Sequence, residues 1–246
     1  MHADVLISSH PRSGGRWLRF MVAHYLAARY EPEFEVTASN VFEIVPDHIT
    51  DPVRGYPAFR YRNGCGSRLF AVCHQPWTVD LHRNFPVLFL ARNPYDVVVS
   101  AYFHLTREKQ SYTGSLRDFI SHPRLGLDSW IGYMNRWAPE LLRHRDVTFL
   151  SYGQLRADPA ASLCKVLEFV DEQPDESRVA AAVESSQALR DSRAIRTGQE
   201  GNFWDHLQPE EIFSIQDMTQ RGLSGLSVSL LEAIGVEIDP FPRLEP

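Results

Sequence analysis

Short apolar runs alternate along the chain with segments whose apolar residues recur every three or four positions. Val5-Leu6-Ile7-Ser8 has the length and continuity of a buried strand. A Gly-containing turn follows, and then Trp17, Phe20, Met21, His24, Tyr25 and Ala28 recur at helical spacing. Further strands are expected at residues 69–73, 87–90 and 147–150. Helices are expected over 97–103, after Asn93-Pro94, and over 159–170, with Asp158 as N-cap and Pro159 in the first turn. The spacing predicts three more over 176–186, 210–218 and 228–234. Strands alternating with helices predict an α/β fold with a central, mostly parallel sheet flanked by helices. In such folds the ligand lies beyond the carboxyl ends of the strands. No linker interrupts the pattern, which reads as a single domain over residues 1–246.

Composition narrows the classes. With 43% hydrophobic and 23% charged residues, the 246-residue chain has the make-up of a globular protein with a sizeable core. A net charge of −6 argues against general nucleic-acid binding, although a local basic pocket stays compatible with an acidic total. Cys65, Cys73 and Cys164 fit no zinc spacing, and a sparse, odd set suits a reducing compartment. The N-terminus lacks a basic region followed by an apolar stretch, and no window approaches the roughly 20 apolar residues of a membrane span. A cytoplasmic protein without a membrane partner is the expectation. The final stretch, residues 225–246, carries no dimerisation motif, which leaves the oligomeric state open.

The strand ends carry the candidate chemistry. After the first comes His10-Pro11-Arg12-Ser13-Gly14-Gly15-Arg16-Trp17. Two glycines let a backbone wrap closely and turn its N–H groups inward, and the next helix offers its positive end. Arg12, Ser13 and Arg16 add donors suited to phosphate or sulfate oxygens. The loop is an anion cradle without the GxxxxGK[ST] pattern. The second strand ends in Cys73-His74-Gln75-Pro76, which sets a histidine of base-competent pKa beside the cradle. The third leads into Arg92-Asn93-Pro94-Tyr95-Asp96-Val97-Val98-Val99-Ser100. Arg92 can grip a phosphate bidentately, whereas Ser100, about two helical turns on, shares that ligand only if the chain curves back. Near the C-terminus, Arg196-Thr197-Gly198-Gln199-Glu200-Gly201-Asn202-Phe203-Trp204 sets a basic residue in a Gly-punctuated loop.

These four segments, in this order, resemble the PAPS-dependent sulfotransferase family. HPRSGGRW is similar to the family's YPKSGTTW loop at the 5′ end of the donor. ARNPYDVVVSAYFH is similar to its RNPKDVxVSxxHF segment, RTGQEGNFW to its RKGxxGDWK loop, and AVCHQP to the KTHLP stretch bearing the catalytic histidine. Residues 126–130 with Trp137, and Ser151-Tyr152-Gly153-Gln154-Leu155, which resembles YEDL, extend the likeness from about Ser9 to about Trp204. The resemblance implies a P-loop-like sulfotransferase fold with PAPS as donor, PAP as product and no metal. Ser13, Gly14, Gly15 and Arg16 would hold the 5′-phosphate. Arg12, in place of a lysine, would neutralise the bridging oxygen. Trp17 and Tyr152 would contact the adenine from its two sides. Arg92 and Ser100, with Arg196, Thr197 and Gly198, would hold the 3′-phosphate. His74 would be the general base of an in-line transfer to an acceptor hydroxyl.

Several positions depart from that pattern. Arg12 replaces the lysine, Val72 replaces the lysine two residues before the histidine, and Gly15 and Arg16 replace the Thr-Thr pair. Thr197 and Asn202 also differ from the family loop. Two alternatives therefore stay open: a nucleotide kinase or phosphotransferase on a related fold, and a PAP- or PAPS-binding protein with little turnover or an aryl sulfate donor. The aromatic and basic stretch 105–144, with Tyr112, Arg117, Phe119, Trp130, Tyr133 and Trp137, is expected to contribute a lid or acceptor wall, as is 34–59. A small-molecule or natural-product hydroxyl is the acceptor expected.

Overall fold

A computed structural model describes residues 3–48, 54–64, 66–79, 85–191 and 201–240. Four strands, β1 (Val5–Ser9), β2 (Phe70–Cys73), β3 (Val87–Ala91) and β4 (Val147–Ser151), form one parallel sheet in the order β2-β1-β3-β4. All four coincide with the apolar runs of the sequence to within a residue or two at each end. Such runs are continuous rather than alternating because both faces of the sheet are covered.

The period of two still decides which residue goes where. Val5, Ile7, Phe70, Val72, Leu88, Leu90 and Leu150 point to one core, which they share with helix α1 (Gly15–Tyr30). Leu6, Ala71, Cys73, Val87, Phe89 and Ala91 point to the other. Short helices α2 (Val41–Ile44) and α3 (Ala58–Arg62) lie between β1 and β2. Helix α4 (Pro94–Phe103) follows β3, runs into a π-helical turn over His104–Glu108, and is succeeded by α5 (Leu116–Ile120) and α6 (Leu127–Leu141). After β4 come α7 (Tyr152–Ala157), α8 (Pro159–Glu168) and α9 (Glu176–Asp191), with α9 packed along α1. A 3₁₀ turn (Asn202–Asp205) precedes α10 (Pro209–Gly222) and α11 (Gly225–Ala233). Asp158 caps α8 as expected, its side chain accepting from the N–H of Ala161.

The strand order fixes where a ligand goes. From β1 the chain moves outward to β2, then returns across β1 to β3. The carboxyl ends of β1 and β3 therefore flank a crevice at which the winding reverses, the usual ligand position in open α/β sheets. Arg92 and the loop after β1 both emerge there. Among the described residues, no helix is long and apolar enough to cross a membrane.

Candidate functional site

The loop from His10 to Gly14 leaves β1 and enters α1 two residues before the expected start. Arg12 (φ 73°) and Gly14 (φ 103°) are both left-handed, and this alternation turns successive N–H groups to one side. For arginine the conformation costs about 1–2 kcal/mol. Contacts hold it there: the Arg12 carbonyl accepts from Arg92 Nη1 at 3.3 Å, and Arg12 Nε donates to Ser100 Oγ at 3.1 Å. A methyl group on Gly14 would lie 2.6 Å from Tyr152 Cδ2, and one on Gly15 would lie 2.6 Å from Ser9 Oγ and 3.5 Å from His74 Cε1. The cradle is thus wedged between Tyr152 and His74. A side chain at Gly15, where the resembling motif has threonine, would meet the Ser9 hydroxyl in its present position. Ser13 Oγ is fully buried without a hydrogen-bond partner, an orphan polar group of the kind an absent polar ligand or water explains.

Arg92 leaves β3 beside this loop. Its guanidinium lies 4.1 Å from the centre of the Tyr152 ring and pairs with Asp96 at 3.2 Å. Burial lowers the pKa of Arg12, Glu108 opposes that, and the positive charges of Arg92 and Arg16 lower it further. Three guanidiniums therefore share one corner, an arrangement that repels itself and that an anion would relieve. Ser100, a turn and a half or more along α4, joins the cradle because the Arg12 side chain reaches across to it, not because α4 bends back.

Trp17 and Tyr152 flank the cradle with rings edge to face at 6.5 Å. Trp17 is only 8% exposed and its Nε1 donates to Ser186 Oγ at 3.1 Å, so it is also a core residue linking α1 to α9. Arg16 is exposed on the first turn of α1, its guanidinium 5.9 Å from the centre of the Phe20 ring. Arg196, Thr197 and Gly198 lie outside the described residues. Further along the same sequence segment, Gly201 is left-handed at φ 79° and its N–H donates to Asp96 at 3.0 Å.

His74 stands beyond β2 on the other side of the cradle. Its Nδ1 lies 2.8 Å from the Ser9 carbonyl. A carbonyl can only accept, so Nδ1 carries the proton and Nε2 keeps its lone pair. The ring reaches solvent, yet the protein along its inner edge disfavours the imidazolium and lowers its pKa; the Ser9 hydrogen bond raises it, Arg19 lowers it and Asp47 raises it. Trp137 secures the following residues by donating from Nε1 to the Gln75 carbonyl at 3.1 Å. These are the properties of a neutral, oriented base.

The aromatic stretch corrects one expectation. Phe119, Trp130, Tyr133 and Trp137 are buried in the core on the α4 side of the sheet, so they make no lid. Helical spacing of apolar residues on α5 and α6 turned them toward the sheet. Tyr112 is half-buried and packs edge to face on Phe119 at 5.1 Å.

A family model described as "Sulfotransferase domain" matches residues 2–227. The chain belongs to the sulfotransferase family. Relatives include Sulfotransferase 4A1 of Mus musculus, 28% identical over 200 residues, covering 77% of this chain and 67% of that protein. Luciferin sulfotransferase of Photinus pyralis is 21% identical over 274 residues, covering 92% of this chain and 73% of its own. Among solved structures, mouse sulfotransferase SULT7A1 complexed with PAP superposes with a TM-score of 0.66 at 18% identity, covering 94% of this chain and 88% of that one. A sulfotransferase from Alicyclobacillus acidocaldarius gives 0.53 at 17% identity, covering 97% and 98%. These likenesses establish the P-loop-like sulfotransferase fold. The cradle, Arg92, Ser100, Tyr152 and His74 all fall inside the matched span.

Two features of this sulfotransferase escaped the sequence. Asp96, 2% exposed, gathers Arg92, the Asn93 amide and the N–H groups of Gly201 and Phe203 around one carboxylate. The Asn93-Pro94 start signal places Asp96 in the first turn of α4, but nothing local announces its bonds to residues more than a hundred positions away. His10 is buried between the cradle and α6, and a histidine before a proline carries no periodic signal of its own.

Proposed function

We propose that this chain is a PAPS-dependent sulfotransferase acting on the hydroxyl of a small molecule, such as a natural product, with residues 1–246 working as one cytoplasmic unit and no metal ion. PAPS supplies the sulfuryl group and a phosphate leaving group. The donor reading is supported by three features of the cradle: its clustered guanidiniums, the orphaned Ser13 hydroxyl, and a glycine pair whose space side chains would fill. The solved relative carrying PAP supports it as well.

In this reading Ser13, Gly14, Gly15 and Arg16 bind the 5′-phosphate, and Trp17 and Tyr152 contact the adenine. Arg92 and Ser100 hold the 3′-phosphate, joined by Arg196, Thr197 and Gly198. Arg12, bonded to Ser100, meets negative charge on the bridging oxygen as a donor already fixed in place. His74 takes the acceptor proton at Nε2 while its Nδ1–H stays on the Ser9 carbonyl. The observation that carries the proposal is this tautomer, fixed on the rim of a cation-lined cradle.

General-base assistance contributes about 10²–10⁴ in rate. His74→Ala is therefore expected to lower turnover more than tenfold with PAP affinity nearly unchanged, checked by an acceptor assay beside calorimetry with PAP. Full activity in that variant would remove His74 from the mechanism.

A further inference from the structure

A buried ion pair stands next to His74 without a part in the reading above. Arg19 lies one turn beyond Gly15 on the same face of α1, and Gly15 is the residue packed under the His74 ring. The Arg19 side chain is 8% exposed and pairs with Asp47 Oδ1. Its guanidinium also covers the Phe42 ring at 4.8 Å, and its Nε is buried without a hydrogen-bond partner. Asp47 belongs to a short extended stretch, residues 46–48, laid parallel along the outer edge of β2. Val72 N–H donates to the Pro46 carbonyl at 2.8 Å, and His48 N–H donates to the Val72 carbonyl at 2.7 Å. Val72 is two residues before His74. One pair thus ties the helix beneath His74 to the stretch beside its strand.

Stability alone gives little reason to keep such a pair, because desolvation of both ions offsets most of their attraction. Its surroundings give a better one. The titratable groups facing His74 are His10 from the cradle loop, Arg19 from α1 and Asp47 from the edge stretch, with Cys73 next to it in β2. His10 is neutral above about pH 4, and burial pushes the Cys73 thiol up to about 11. The charges acting on the ring are therefore those of Arg19 and Asp47, and they act in opposite senses.

We propose that the Arg19–Asp47 pair is a positioning device for His74: it fixes the strand end bearing the ring and sets one charge of each sign against it, so the imidazole is held in place with neither charge left unbalanced beside it. The proposal rests on His74 being the base. Loss of Asp47 charge leaves the arginine to disfavour the imidazolium, and loss of Arg19 leaves the carboxylate to favour it.

The test is the pH profile of kcat for the full chain and for Asp47→Asn, Arg19→Met, the double variant and Arg19→Lys. Asp47→Asn is expected to move the acid limb to lower pH, and Arg19→Met to higher pH, each by roughly half a unit to one unit. The double variant and Arg19→Lys are expected to return the limb close to its original position. A merely structural pair would lower activity without opposite shifts. Limbs that stay fixed, or move the same way in both single variants, would overturn the proposal. Asp47→Asn is nearly isosteric, so if Arg19→Met does not fold, an unmoved or raised limb in Asp47→Asn overturns it alone. His74→Ala separates the two levels. Full activity there removes the base and this proposal together, whereas an inactive His74→Ala beside immobile limbs removes only the role of the pair.

Discussion

At position 10 an imidazole only 7% exposed joins the cradle to α6. Its Nδ1 donates to the Pro11 carbonyl at 2.9 Å, which leaves Nε2 to accept from Ser129 Oγ at 3.3 Å. The Tyr133 ring meets it edge to face at 5.5 Å. Burial pushes the His10 pKa down to about 4; the Pro11 bond opposes this, and the neighbouring His74 adds to it. The unfolded chain takes up its proton near pH 6.5, so between these two values it binds more protons than the folded chain. Stability from this residue is complete above pH 6.5 and drains away as the pH falls toward 4, by about 3 kcal/mol in all. His10→Gln keeps a polar side chain and cannot titrate. Urea midpoints measured from pH 7 to pH 4.5 are expected to fall less steeply in that variant than in the unmodified chain. Equal slopes would mean that His10 is not held neutral. The sequence showed the cradle around this residue but not its burial, which α6 imposes from more than a hundred positions away.

At the scale of elements, α4 is organised from its first turn. Asn93 Oδ1 accepts from the Asp96 N–H at 2.8 Å, and Pro94 opens the helix. The NP signal therefore marks a start three residues earlier than the apolar pattern at 97–103 suggests. The Asp96 carboxylate faces inward and binds the 201–203 segment through two N–H groups, at 3.0 and 3.2 Å, while pairing with Arg92. One carboxylate thus holds both the strand-end arginine and the entry to the C-terminal loop. Asp96→Ala is expected to cost about 3–5 kcal/mol in chemical unfolding, since it takes away the carboxylate paired with the buried Arg92 guanidinium and the acceptor of two N–H groups. Calorimetry is expected to show weaker PAP binding in the same variant. Asp96→Asn, which keeps acceptor capacity, should lie between the two. Undiminished stability in Asp96→Ala would remove it as an organiser.

Over the whole molecule, the cradle joins pieces from β1, β3, α4 and α7 that are separated by up to a little more than half of the chain length. A ligand that bridges them stabilises the folded state in proportion to its occupancy. PAP at about a hundred times its Kd adds about 2.7 kcal/mol, or a rise of about 5–10 °C in Tm for a chain of this size. A thermal-shift series with PAP, ATP and ADP is expected to show that rise for PAP and little for the others. A larger rise with ATP and magnesium would instead favour a phosphotransferase.

The sequence by itself determined the strands, six of the eleven described helices, and the segments that carry the anion-binding chemistry. Those are local matters: apolar period, glycine geometry, and the chemistry of arginine at a strand end. It did not determine that Arg12 would reach Ser100, that Asp96 would hold a loop far along the chain, that Ser9 would exclude a side chain at Gly15, or that an ion pair would stand beside His74. Strand order and helix packing decided those, because bringing distant residues within hydrogen-bond reach is a property of how the layers stack, and no window of sequence contains it.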